Sequence, residues 1–146
     1  MDTAKKGQYN RLGSFSLEEV LPHVIFDCKY HGERGKAQRV PFGEFQVNMA
    51  SARYQCFVEH GTDCSECGIK GSFFALEVDK SHKEGTQPHF NLYAIDSDGN
   101  EVLMTKDHVI PLSKGGKNNL SNFKTMCCHC NEKKADKLIE SVEFSQ

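Results

Sequence analysis

The most informative part of the sequence is residues 107–131, which read DHVIPLSKGGKNNLSNFKTMCCHCN. It opens on an Asp-His pair, passes through an apolar segment and a Gly-Gly loop, and closes on a group of cysteines. Cys127 and Cys130 form a C-x-x-C pair, and Asn131 follows it directly. A candidate proton acceptor, candidate oxygen ligands and candidate thiolate ligands therefore lie in one short segment.

A second C-x-x-C pair, Cys64 and Cys67, lies upstream of this stretch. Two such pairs are the usual arrangement of a tetrahedral zinc site, since a two-residue gap lets a turn aim two thiolates at one ion. Four thiolates close the coordination shell, so we expect a structural Zn²⁺ held by all four of them: Cys64, Cys67, Cys127 and Cys130. One alternative is that the two C-x-x-C turns, or knuckles, are unrelated pairs of redox-active or buried cysteines. Another is that Cys128 is a ligand in the second knuckle.

The composition is that of an ordinary soluble domain with a lean core. The chain has 146 residues, 38% of them hydrophobic, with seven cysteines and no Trp. The odd cysteine count argues against a simple disulfide framework, and a structural metal would help such a chain to hold one fold.

The apolar runs are far shorter than the ~20 residues of a membrane-spanning helix. The N-terminus lacks the apolar stretch of a signal peptide. We therefore expect a cytoplasmic protein with no membrane partner.

The net charge of −2 conceals an uneven distribution. Residues 59–101 carry nine acids against three bases, whereas residues 106–137 carry seven lysines against three acids. A further basic segment spans residues 29–39. Basic stretches attract phosphate groups whatever the total charge of the chain, although such runs also serve merely as a solvated surface.

The N-terminal part gives few local signals. Residues 1–13 are polar and are expected to form a loose tail. Ser16 and Glu19 have the spacing of a capping box, which predicts a short helix that Pro22 bends or ends. Apolar residues at helical spacing predict one helix over residues 45–60.

Gly61 fits the end of that helix. Alternating segments and turn residues predict the remaining elements, which are strands at 72–79, 90–96 and 101–106 and a helix at 131–139.

Residues 61–137 closely resemble the HNH (ββα-metal) endonuclease family, whose members of this type occur in phages and mobile elements. The family pattern is an Asp-His, two apolar residues and Pro, a Gly-Gly loop, an Asn, a short strand, and a cysteine knuckle followed by His or Asn. The resemblance implies an α+β fold with a ββα-metal core, N-terminal helices, a β-rich insertion and a structural Zn(Cys)4 site.

The expected domain organisation follows from the same resemblance. Residues 1–45 would form an N-terminal extension with a short helix and a basic loop. Residues 46–140 would form the nuclease domain, including the β-rich insertion 69–106. Residues 141–146 would be a tail.

The resemblance also implies site residues for hydrolysis of DNA phosphodiester bonds. His108 would be the general base, a role suited to histidine near pH 7. Asp107 and Asn131 would supply oxygen ligands to a catalytic Mg²⁺ or Mn²⁺, and Asn122 would brace the loop. Five lysines would hold flanking DNA phosphates: Lys114, Lys117, Lys133, Lys134 and Lys137. The alternative is a catalytically inactive, zinc-stabilised nucleic-acid-binding module.

Overall fold

The computed structural model describes residues 8–26, 38–81 and 87–135. A five-stranded sheet has the order β1-β4-β5-β6-β7, and a separate hairpin joins β2 to β3. Every pairing is antiparallel. The strands are β1 (Tyr9–Phe15), β2 (Arg39–Phe42), β3 (Phe45–Asn48), β4 (Gly71–Asp79), β5 (His89–Ile95), β6 (Glu101–His108) and β7 (Phe123–Cys127).

Three helices accompany the sheets, so the fold is mixed α and β, as expected. They are α1 (Leu17–Val20), α2 (Ala52–His60) and α3, which begins at residue 128 and continues through the described residues to 135. The helix predicted at 131–139 therefore begins three residues early, and its end lies outside the described residues. No helix in the described part of the chain is long and apolar enough to cross a membrane.

The capping box at the start of α1 is confirmed. The Ser16 hydroxyl accepts the backbone N–H of Glu19 at 3.1 Å, and the Glu19 carboxylate accepts the backbone N–H of Ser16 at 3.2 Å. Pro22 lies in a 3-10 turn, Leu21–His23, that follows α1 directly. Proline has no N–H to continue an α-helix, which accounts for the short α1.

The loose tail expected over residues 1–13 is wrong for Tyr9–Phe15, which forms β1 at the sheet edge. This strand pairs with β4 over most of its length. Its residues are exposed or half-buried, and Arg11 contacts Glu77 on the neighbouring strand at 2.9 Å. Local composition missed β1 because its partners lie on a strand that is distant in the sequence, from Phe74 to Asp79.

The single helix predicted over residues 45–60 is wrong in its first part. Phe45–Asn48 is strand β3, and α2 begins only at Ala52, after Ser51 accepts the Arg53 backbone N–H at 3.2 Å. Apolar residues continue from β3 into α2, so the two-residue repeat of the strand and the repeat of the helix were interpreted as one helical pattern. Gly61 ends α2 with a φ of 93°, as expected for a glycine there.

An aromatic core fills the space between the sheet, the hairpin and α2. Phe90 lies at its centre and meets Phe42 at 4.8 Å and Phe74 at 5.8 Å between ring centroids, both edge to face. Tyr54 of α2 accepts the backbone N–H of Phe90 through its hydroxyl at 2.7 Å. Edge-to-face aromatic pairs add to the stabilisation from burial alone, which compensates for the absence of Trp.

Glu77 of β4 is buried within a polar network. Its carboxylate accepts hydrogen bonds from Arg11 at 2.9 Å, from Asn91 at 2.8 Å and from Tyr93 at 2.6 Å. Burial, together with the neighbouring carboxylate, raises the pKa of Tyr93. A buried charge is tolerated only when it is paired and hydrogen-bonded, and here both carboxylate oxygens have partners.

The strands β6 and β7 and the helix α3 follow one another at the C-terminal end of the described chain. The predicted strand 101–106 continues to His108 and pairs with β7, in a register that places Asp107 opposite Lys124. Helix α3 then starts directly at the end of β7. This strand–strand–helix unit carries the candidate site.

Candidate active site and metal centre

The four cysteines of the two C-x-x-C pairs lie together at the start of α3. The sulfur atoms of Cys64, Cys67, Cys127 and Cys130 all lie within 4.8 Å of one another. The sulfurs of Cys67 and Cys127 are 3.8 Å apart. Four thiolates about 2.3 Å from one tetrahedral ion would stand about 3.8 Å from each other, so the cluster fits a structural metal site.

Backbone amides support the sulfurs in both knuckles. The N–H groups of Glu66 and Cys67 point at the Cys64 sulfur at 3.4 and 3.5 Å. The N–H of Cys130 makes the same contact with Cys127 at 3.5 Å. Gly68 closes the first knuckle with a φ of 78°, which an L side chain rarely adopts. The repeated geometry indicates two matched halves of one site.

The thiols of this cluster lie close enough to shift one another's pKa values. Burial alone would raise the pKa of the Cys64 thiol, but backbone hydrogen bonds, led by the one from Cys127, lower it to about 6. Burial raises the pKa values of Cys127 and Cys130, and the nearby Cys64 raises them further. Several thiolates this close repel one another unless a metal ion neutralises them.

Cys128 does not share this cluster. It is buried in the hydrophobic core at the start of α3, whereas Cys127 and Cys130 belong to the cluster. Cys56 is also buried, and its sulfur lies 3.8 Å from the Thr125 hydroxyl. Both therefore act as small core residues, while Cys28 lies outside the described residues.

A cleft of about 270 Å³ lies between the end of β6 and the face of α3. Asp107 and His108 reach it from the strand, and Asn131 reaches it from the helix. The structure therefore brings three of the four predicted catalytic residues to one cleft. Its other lining residues are Pro111, Leu112, Lys134 and Ala135.

The imidazole of His108 is held from two sides. Its Nε2 lies 2.7 Å from Oδ1 of Asn118. Its ring packs edge to face on Phe123, with 5.2 Å between centroids. An amide oxygen only accepts hydrogen bonds, so a neutral ring in this contact carries its proton on Nε2 and can accept through Nδ1.

Asn122 lies outside the cleft lining and joins the two ends of the loop beside it. Its Oδ1 accepts the backbone N–H of Ile110 at 2.9 Å, and its Nδ2 donates to the Ile110 carbonyl at 3.0 Å. The same Nδ2 donates to the Lys117 carbonyl at 2.9 Å. Gly115 turns the loop with a φ of 89°. These contacts fit the bracing role expected for Asn122.

Asn131 is oriented by a hydrogen bond to the sheet. Its Nδ2 donates to the Thr105 hydroxyl at 3.1 Å, and that hydroxyl donates to the Met126 carbonyl at 2.8 Å. With the nitrogen committed to Thr105, the amide oxygen is the atom available to a ligand. Carboxylate and amide oxygens suit a hard divalent cation, and Asp107 and Asn131 offer one of each.

Lys134 has a position that the sequence did not reveal. Its Nζ donates to Oδ2 of Asp107 at 2.6 Å and to the carbonyl oxygen of His108 at 2.7 Å. Both side chains of this ion pair are largely shielded, with 25% of Lys134 and 16% of Asp107 exposed. The Lys134 ammonium group therefore contacts two oxygen atoms beside the candidate cation site, one from the Asp107 carboxylate and one from the His108 carbonyl.

The other described lysines that were predicted to contact DNA lie outside the lining of this cleft. Lys114 and Lys117 are exposed on the loop after β6, and Lys133 is exposed on α3. A second cleft of about 300 Å³ adjoins the first and shares Lys134 with it. Its other lining residues are Glu66, Lys124, Met126, Cys130 and Lys133. Lys137 and most of the basic segment 29–39 lie outside the described residues.

Sequence reasoning missed two further features of the site. Asn118 contacts His108, but nothing in the local sequence distinguishes it from the neighbouring Asn119. The loop after β6 also exposes three large apolar side chains that the composition could not place beside the cleft: Val109 (50%), Ile110 (51%) and Leu112 (54%).

Comparison with known protein families gives a match to part of the chain. The model of a family described as HNH endonuclease matches residues 96–145, a segment that contains β6, β7 and the described part of α3. The resemblance inferred from the residues is thus confirmed over this segment. No curated protein and no solved structure matches the chain.

Proposed function

We propose that this chain, which is an HNH endonuclease family member over residues 96–145, hydrolyses phosphodiester bonds within DNA with the help of a divalent metal ion. The observation that carries the proposal is the shared cleft of Asp107, His108 and Asn131. It joins a proton acceptor to two oxygen ligands at the end of a strand–strand–helix unit. We take this unit to be a ββα-metal core.

His108 is the proposed general base. Its Nε2 is engaged by Asn118 at 2.7 Å, and Phe123 fixes the plane of its ring. Nδ1 is then free to accept a proton from a water molecule attacking the phosphate. A neutral imidazole is the side chain best suited to this transfer near pH 7.

Asp107 and Asn131 are the proposed ligands of Mg²⁺ or Mn²⁺. When bound, such an ion polarises the phosphate and stabilises charge on the leaving oxygen. Asp107 lies on β6 beside His108, and the hydrogen bond from Asn131 to Thr105 fixes the helix side of the pair. The chain's own part is therefore to hold two oxygen ligands and one base on rigid elements.

The four-cysteine cluster is proposed to bind one structural Zn²⁺. It ties residues 64–67 to the start of α3, the helix that carries Asn131. A second link reinforces this connection, since the backbone N–H of Ser65 donates to the Thr125 carbonyl at 2.9 Å. The ion would thus hold α3 at a fixed distance from β6.

DNA is the proposed substrate: Lys134 lines the cleft, and further lysines are exposed on the neighbouring loop and on α3. The lysines proposed to contact its phosphates are Lys114, Lys117, Lys133, Lys134 and Lys137. Phosphate contacts of this kind position a duplex without reading its sequence. We further propose a cytoplasmic role in homing, restriction or phage DNA processing, in line with the family resemblance.

Incubation of the zinc-loaded protein with supercoiled plasmid tests the proposal. We expect conversion to nicked or linear DNA in Mg²⁺ or Mn²⁺ and none in EDTA. A gel shift without cleavage in any divalent metal would instead favour the inactive, zinc-stabilised binding module. Absence of both binding and cleavage would contradict either function.

A further inference from the structure

Lys134 links the candidate cation site to the second cleft. Its ammonium group contacts the Asp107 carboxylate and the His108 carbonyl, at 2.6 and 2.7 Å. Its side chain also lines the cleft that holds Lys124 and Lys133. One flexible cation therefore stands at the boundary between the metal-ligating carboxylate and a basic surface.

We propose that Lys134 competes with the divalent cation for Asp107, and that a DNA phosphate relieves this competition by drawing the lysine away. The inference rests on the proposed function, because it takes Asp107 as a metal ligand and DNA as the substrate. It adds a role for Lys134 in coupling metal binding to substrate binding.

The Lys134 ammonium and a divalent ion repel each other when both are bound to Asp107. An ammonium in hydrogen-bond contact with Asp107 repels a divalent ion bound to the same carboxylate. The repulsion is weakly screened, because only 16% of the Asp107 side chain is exposed. A divalent ion that binds Oδ2 of Asp107 therefore requires Lys134 to leave that oxygen.

The second cleft gives the displaced lysine an alternative partner. Lys124 in this cleft is already paired with Glu66 at 3.2 Å, whereas Lys133 is exposed beside it. A phosphate arriving here meets Lys133 and Lys134 on the same helix. Pairing of Lys134 with that phosphate replaces the contact that it gives up at Asp107.

A linkage between metal and DNA follows from this geometry. If DNA binding frees Asp107, then the divalent ion binds more tightly in the presence of DNA. By reciprocity, DNA then binds more tightly in the presence of the ion. Such coupling would keep the free protein largely without its catalytic ion until a substrate is bound.

The test measures Mn²⁺ binding to the full-length, zinc-loaded protein without DNA, from the electron paramagnetic resonance signal of free Mn²⁺. We expect Lys134→Met to bind Mn²⁺ about five- to tenfold more tightly than wild type, as loss of one shielded ion pair predicts. Lys134→Arg keeps a cation at Asp107 and should retain the weak binding.

Lys106→Met is the matched control. It removes a positive charge next to Asp107 in the sequence, but the Lys106 ammonium lies over the Phe123 ring, 4.2 Å from its centroid. We expect the Mn²⁺ affinity of Lys106→Met to stay within about twofold of wild type, since a charge that does not contact Asp107 acts on it only weakly. An equal gain in Lys106→Met and Lys134→Met would overturn the contact mechanism.

A second measurement uses a His108→Ala background, so that a short DNA duplex stays intact. There the duplex should tighten Mn²⁺ binding several-fold when Lys134 is present and much less in Lys134→Met. Unchanged or weaker Mn²⁺ binding by Lys134→Met without DNA would overturn the proposal, as would equal coupling in both proteins. Because neither measurement requires cleavage, an inactive enzyme would contradict the proposed function without deciding this one.

Discussion

Asn122 and Ile110 are joined by two hydrogen bonds that run in opposite directions. The side-chain oxygen of Asn122 accepts the Ile110 N–H at 2.9 Å, and its nitrogen donates to the Ile110 carbonyl at 3.0 Å. The amide thus replaces a strand partner just where β6 ends. A further backbone bond, from the Val109 N–H to the Asn122 carbonyl at 2.8 Å, holds the same junction. The loop that presents Asn118 to His108 begins at this point.

Replacement of Asn122 tests the bracing role. Asn122→Ala removes all three side-chain hydrogen bonds and should lower the free energy of unfolding by about 1–3 kcal/mol. Plasmid nicking should fall further than stability alone explains, since the loop loses its anchor. Asn119→Ala, a neighbour without a side-chain cap bond in the described structure, is the control. Equal nicking by wild type and Asn122→Ala would contradict the role.

Asn118 should control the tautomer of His108 rather than the stability of the fold. Asn118→Leu removes the acceptor of Nε2–H and leaves the exposed loop otherwise intact. We expect nicking to fall about ten- to hundredfold with an unchanged melting temperature, because a base in the wrong tautomer transfers protons poorly. Nitrogen chemical shifts of His108 should change in Asn118→Leu and stay constant in Asn119→Ala. A constant tautomer in both variants would refute this.

Gly116 is required for close packing rather than for an unusual backbone angle. A Cβ at this position would overlap the carbonyl oxygen of Ile110, so Gly116→Ala must displace the loop. At Gly115 a Cβ would meet open space, although its φ of 89° disfavours any L side chain. Gly116→Ala should therefore reduce nicking more than Gly115→Ala does at matched melting temperature. The reverse order would contradict this packing.

The cysteine cluster should bind about one zinc per chain, which elemental analysis measures directly. Cys64→Ser should lose the metal and lower the melting temperature, because three sulfurs hold zinc poorly. Cys128→Ala is the matched control, since Cys128 is buried but lies outside the cluster. Zinc retained in Cys64→Ser, or lost in Cys128→Ala, would contradict the ligand set.

Glu101 should stabilise the fold in a pH-dependent way. A hydrogen bond from Arg11 is the main cause that lowers the pKa of Glu101. The folded state therefore binds the proton less readily than the unfolded one, so this stabilisation is present at neutral pH and is lost on acidification. Glu101→Gln should cost less than about 1 kcal/mol at pH 7, because the pair is exposed.

The stability difference between Glu101→Gln and wild type should shrink as the pH falls below the ordinary glutamate pKa of about 4.3, and should disappear below the lowered pKa of the folded state. Chemical denaturation across this pH range measures it. In an Arg11→Met background the same substitution should have little effect at any pH. A difference that grows on acidification would contradict the assignment.

Local sequence signals were enough to predict the two cysteine knuckles, the capping box at Ser16 and the strands at 72–79, 90–96 and 101–106. Each of these depends on residues close together in the chain. Strand β1 and the Lys134 contact could not be predicted in the same way, because they depend on partners brought together by the fold. The spacing of apolar residues around Val47 led to the wrong prediction of one helix over residues 45–60, because strand β3 and helix α2 follow each other closely and together give one continuous apolar pattern.

The central claim is that His108 acts as the base in DNA cleavage. The most direct measurement compares the nicking rates of zinc-loaded wild type and His108→Ala on supercoiled plasmid in Mg²⁺ or Mn²⁺, with melting temperatures matched. We predict that His108→Ala loses about a hundredfold or more of the rate while still binding DNA. Equal cleavage by the two proteins would contradict the role of His108 as the base.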